Sequence, residues 1–95
     1  MREAEVERFL KEEIEKMGGK CFKWVSPGQR GVPDRICILP EGRIVFAEVK
    51  VEKGGVVSGM QKYMHKLLTG LGCRVFLLTG KPSVVKMVTE LRNER

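Results

Sequence analysis

Residues 43 to 51 (RIVFAEVKV) constrain this chain more than any other stretch. Alternation with period two sends Ile44, Phe46, Glu48 and Lys50 to one face of a strand and Val45, Ala47, Val49 and Val51 to the other. Both faces begin apolar, as in a strand covered on two sides, and such a strand should stay apolar to its end. Here a carboxylate and an ammonium project instead from one face of its C-terminal half. Removing them from water is costly unless they pair or bind a cation.

The rest of the chain supplies what such a strand packs against. Val6, Phe9, Leu10, Ile14 and Met17 recur at helical spacing over residues 3 to 17, and Gly18-Gly19 stops the pattern. Residues 20 to 25 read as a short strand, residues 26 to 33 as a Pro- and Gly-containing loop, and residues 35 to 39 as a second strand. Pro40-Glu41-Gly42 then turns the chain into the 43 to 51 strand as a hairpin. A second amphipathic helix places Met60, Tyr63, Met64, Leu67, Leu68 and Leu71 on one face, with Tyr63 assigned to the core; residues 73 to 79 form a strand, and a last helix carries Val84, Met87, Val88 and Leu91. The order α-β-β-β-α-β-α with a closing strand-helix-strand crossover predicts an α/β fold, a mixed sheet flanked by helices.

Ninety-five residues accommodate one domain, taken as residues 1 to 95. Eighteen Lys and Arg against 12 Asp and Glu give a net charge of +6, which favours an anionic partner, nucleic acid before acidic lipid. Cys21, Cys37 and Cys73 lack metal-ligand or disulfide spacing and read as small buried hydrophobes. No apolar run approaches the roughly 18 residues that span a bilayer, so no membrane partner and a cytoplasmic location are expected.

Hairpin pairing through residues 40 to 42 brings Asp34, at the start of the preceding strand, toward Glu48. Two close carboxylates repel unless a hard cation neutralises them, and Mg²⁺ favours few carboxylates plus water. Lys50 would stand beside that cation, able to orient an attacking water and to offset charge on a phosphate. Mn²⁺ is expected to substitute. Ser58 and Gln61 have the S-x-x-Q spacing of a capping box, and the helix start they mark is also a place where a phosphate can approach. Ser26, Gln29, Arg30, Arg35, Lys53, Lys62 and Lys66 are candidates for DNA-backbone contacts. His65, set on the polar side of its helix with Lys62 and Lys66, is given at most a phosphate contact.

Pro33-Asp34, a 13-residue spacer and Glu48-Val49-Lys50 resemble the PD-(D/E)XK nuclease signature. The Gly31-Val32-Pro33-Asp34 turn, the glutamates of the first helix and Ser58-Gly59-Met60-Gln61 narrow the resemblance to its VRR-NUC branch, over about residues 3 to 79. That resemblance implies the restriction-endonuclease-like αβββαβ core, here with an added C-terminal helix. It also implies metal ligation by Asp34, Glu48 and the Val49 carbonyl, catalysis by Lys50, and an active-site role for Gln61. Glu7, which precedes Phe9-Leu10 as in related resolvases, is taken as the helix carboxylate, with Glu3 as the alternative. The stand-alone phage and bacterial branch is similar to Holliday junction resolvases, which act as homodimers on branched DNA. The expected activity is therefore that of a metal-dependent, structure-specific endodeoxyribonuclease, a homodimer acting on four-way junctions. The alternatives are a monomeric flap nuclease or nickase and a non-catalytic nucleic-acid-binding module.

Overall fold

A computed structural model describes residues 2–51 and 55–94. Its first element, helix α1 (Glu3–Lys16), buries Val6, Leu10 and Ile14 and half-buries Phe9, with Met17 half-buried just beyond. Each fully buried aliphatic side chain of this kind contributes about 2 kcal/mol relative to exposure. Gly18 ends the helix in the left-handed region (φ 85°), and the Gly18 and Gly19 N–H groups donate back to the carbonyls of Glu15 and Ile14 at 3.0 Å.

Strands β1 (Lys20–Lys23), β2 (Arg35–Leu39) and β3 (Arg43–Lys50) form an antiparallel meander, with a 3-10 turn at Pro40–Gly42 joining the last two. Helix α2 (Gly59–Gly70) then carries the chain to β4 (Arg74–Thr79), which pairs with β3 in parallel, and helix α3 (Lys81–Asn93) closes the fold. Strand order is β1-β2-β3-β4. This is the mixed sheet flanked by helices that the sequence predicts. Register follows the hydrophobic pattern: Cys37 stands opposite Val45, and Val49 lies beside Leu78.

The core occupies one face of this sheet. Val45, Ala47 and Val49 of β3 meet Val6, Leu10 and Ile14 of α1 and Val84, Met87, Val88 and Leu91 of α3, all buried. Cys21 and Cys37 join this core from opposed positions on β1 and β2, their sulfurs 3.7 Å apart as free thiols, while Cys73 is half-buried. Arg43 ties the sheet to α3 by donating to the Leu91 carbonyl at 3.0 Å.

Helix α2 lies on the other face, and here the structure departs from expectation. Of its six-residue apolar stripe Met64 alone is buried, while Tyr63, Leu67 and Leu71 are 57%, 42% and 73% exposed. Tyr63 is therefore not a core residue. Beside the helix the sheet leaves Phe22, Ile38, Ile44 and Leu77 open to solvent, although Trp24 lies on Phe46 with ring centroids 5.1 Å apart. Periodicity identifies an apolar face but does not say whether its cover comes from the same chain. Among the described residues no helix is long and apolar enough to cross a membrane.

Candidate active site

The β2–β3 pairing places Arg35 opposite Ala47, so the next position, Asp34, comes level with Glu48. The Asp34 carbonyl accepts from the Trp24 N–H, and its carboxylate accepts from the Val49 N–H, both at 2.9 Å. The side chain is thus fixed against the backbone of the strand that bears Glu48. Upstream, Gly31 holds the entry loop against α2. Its φ is 82°, and a Cβ there would lie 2.5 Å from the Met60 carbonyl oxygen, so side chains are excluded both by backbone conformation and by contact.

Glu48 is 1% exposed, a burial that a carboxylate tolerates only with partners. Lys50 Nζ lies 3.3 Å from its Oε2, and Gln61 Nε2 donates to the same oxygen at 2.5 Å. Oε1 is buried and unpartnered. Burial, and then the Asp34 charge, push the Glu48 carboxyl up to about 7 against the opposing pull of Lys50. The site therefore holds a carboxyl group under electrostatic pressure, with one oxygen left without a hydrogen-bond partner.

Gln61 serves two structures at once. Its Oε1 accepts from the Ser58 N–H at 2.9 Å while Ser58 Oγ accepts from the Gln61 N–H at 3.2 Å, completing the expected capping box. Its amide nitrogen remains for Glu48. An open cleft of about 620 Å³ leads here, lined by Arg30, Gly31, Lys50, Val56, Ser58 and Gln61 among others.

The structure brings Asp34, Glu48, Lys50 and Gln61 together but engages Glu7 elsewhere: its carboxylate accepts from Arg35 Nε at 2.7 Å. Among the described residues no three His, Cys, Asp or Glu side chains converge as a metal-holding group. Arg35, a candidate for DNA contact, is thus partly buried and neutralised by Glu7. Of the other basic-surface candidates, Arg30 lines the cleft, Gln29, Lys62 and Lys66 are exposed, Ser26 is half-buried, and Lys53 lies outside the described residues. His65 departs from the position that its spacing predicts. It is half-buried rather than on the polar side of α2, and its Nε2 is buried without a partner. The available signal was its spacing of four from Gln61, which puts both on one helical face.

No family model matches the chain. A curated protein of Acyrthosiphon pisum secondary endosymbiont phage 1, named "Putative nuclease p44", is 44% identical over 81 residues, covering 85% of this chain and 86% of that protein. A solved structure of a VRR-NUC domain superposes with a TM-score of 0.79 at 33% identity, covering 96% of this chain and 94% of that one. Nearly complete coverage on both sides, in sequence and in fold, makes this chain a member of the VRR-NUC family of nucleases.

Proposed function

We propose that the chain is a divalent-metal-dependent endonuclease that hydrolyses DNA phosphodiester bonds, with Mg²⁺ as its metal and Mn²⁺ able to replace it. The observation that carries this reading is the buried Glu48 carboxylate, raised in pKa by burial and by Asp34, with Oε1 unpartnered. A hard cation relieves both strains, and two carboxylates with water are what Mg²⁺ takes. Asp34, Glu48 and the Val49 carbonyl would hold it. The Val49 N–H points to Asp34, and in a strand the carbonyl of the same residue points to the same side, beyond the last paired residue of β2. Bound there, the ion would supply Lewis-acid stabilisation of the phosphate and lower the pKa of a water.

The chain's own residues do the rest. Lys50 offers a positive charge beside Glu48 for the developing phosphate charge, and Gln61 fixes the Glu48 rotamer from α2. Arg30 and the outward Lys62 and Lys66 provide phosphate contacts on a chain of net charge +6. Residues 1 to 95 are read as one nuclease domain. The phage relative and the free thiols of Cys21 and Cys37 support a cytoplasmic setting in a bacterial or phage-infected cell.

The substrate reading is a four-way DNA junction cut by a homodimer. One chain carries one Asp34–Glu48–Lys50 site, whereas resolution needs two symmetric incisions. The exposed apolar side chains Phe22, Ile38, Ile44, Tyr63, Leu67 and Leu71 on the α2 side of the sheet support self-association, since large exposed apolar patches mark interaction surfaces. The test is a cleavage panel of junction, flap, linear duplex and single strand with Mg²⁺, Mn²⁺ or chelator, alongside light scattering. Junction cutting by a dimer is expected, with Asp34→Asn, Glu48→Gln and Lys50→Ala each slowing it at least about a hundredfold without unfolding. A monomer that cuts flaps and junctions equally would instead make the chain a flap nuclease, and binding without cleavage would make it a nucleic-acid-binding module.

A further inference from the structure

Among the described residues two buried side-chain atoms lack a partner, Glu48 Oε1 and His65 Nε2. They sit on facing elements, β3 and α2, that Gln61 joins directly one helical turn before His65. His65 is within electrostatic reach of both Asp34 and Lys50. Burial, assisted by the Lys50 charge and opposed by Asp34, holds its imidazole below the ordinary value, so the neutral ring prevails at neutral pH. A neutral ring with its proton on Nδ1 presents Nε2 as an acceptor.

Gln61 Oε1 is occupied by the Ser58 N–H, and Lys50 and the Gln61 amide nitrogen only donate. A divalent cation held by Asp34 and Glu48 keeps several waters whose hydrogens need acceptors. We propose that His65 is a positioning residue of the metal site, its Nε2 accepting a hydrogen bond from the hydration shell of the cation held by Asp34 and Glu48. The assignment rests on the metal-site reading above and adds a residue to it. It accounts for a buried nitrogen that the protein alone leaves unsatisfied, as the cation accounts for Glu48 Oε1.

Calorimetric titration of Mn²⁺ into the metal-free protein tests it, with metal-free thermal melts of the same samples. His65→Leu should weaken Mn²⁺ binding roughly 10- to 100-fold, the usual effect of losing an outer-shell partner. The metal-free melting temperature should stay level or rise, because a buried unpartnered nitrogen has been removed. His65→Gln, which restores an acceptor at similar reach, should recover part of the affinity. Wild-type affinity in His65→Leu would overturn the assignment while leaving the metal site standing. If Leu prevents folding, His65→Met replaces it, and equal Mn²⁺ affinity in the Met and Gln variants overturns the assignment, whereas tighter binding by Gln supports it. Wild-type protein that takes up no Mn²⁺ would remove the metal site and the assignment together.

Discussion

Replacing Glu48 by Gln should change how the metal-free protein responds to pH. The folded carboxyl is pushed up to about 7 from an ordinary value of 4.5, first by burial and then by Asp34. Between those values the unfolded chain has lost the proton that the folded chain retains, so stability falls as pH rises through the window. The contribution is fully present below about 4.5 and gone above about 7. At about 1.4 kcal/mol per unit the loss amounts to about 3 kcal/mol. For a domain of this length that corresponds to roughly 10–20 °C in melting temperature. Melts of wild type and Glu48→Gln in chelator from pH 4 to 8 isolate Glu48 together with its coupling to Asp34, since the remaining titrations are common to both. The wild-type curve should drop relative to the variant across the window, and saturating Mg²⁺ should flatten the drop by stabilising the charged form. Parallel curves would refute the claim that Glu48 is desolvated and raised.

Other perturbations report on the loop, the open face and the first helix. Gly31→Ala adds a Cβ at a φ of 82° and 2.5 Å from a backbone oxygen, so it should cost about 1–3 kcal/mol in urea denaturation and slow cleavage; a neutral result would mean that the loop is free to move off α2. Tyr63→Lys with Leu67→Lys should leave the monomer folded but shift the light-scattering mass from dimer to monomer, because both side chains are already exposed within the chain; a mass unchanged from wild type would move the interface elsewhere. Glu7→Gln should cost about 1–2 kcal/mol by removing the charge opposite the partly buried Arg35, whose hydrogen bond the amide oxygen can still accept, and it should reduce cleavage more than Glu3→Gln does. Reversed severities would transfer the helix carboxylate to Glu3.

The core helices and the hairpin were legible because their signals are local. Val6, Leu10 and Ile14 on α1 and Val84, Met87, Val88 and Leu91 on α3 each mark a stripe that the fold buries as the spacing says. The convergence of Asp34 and Glu48 was legible too, since a short turn fixes hairpin register and register fixes which residues meet. Helix α2 departs from its pattern in two ways for one reason. Its spacing does not reveal how much of the sheet lies beneath it, so the pattern puts Tyr63 inside and His65 outside, the reverse of what packing does. The Glu7–Arg35 ion pair is hidden for the same reason: a helix wheel gives the angular position of Glu7, while its partner, 28 residues away, is set by packing.

The core sits on the α1–α3 face of the sheet, whereas Glu48, Lys50 and Gln61 lie on or over the opposite one. Successive side chains of β3 consequently answer to different demands: those of Ala47 and Val49 pack the core, while those of Glu48 and Lys50 face α2 and the chemistry proposed for that side. Substitutions on the α2 side leave the packing of Leu10, Leu78 and Val84 largely untouched, and exchanges among those core side chains can raise or lower stability while leaving the carboxylates in place. Such a sheet can diversify by one surface at a time, a route by which lineages can diverge in sequence and in substrate while the four strands keep their order.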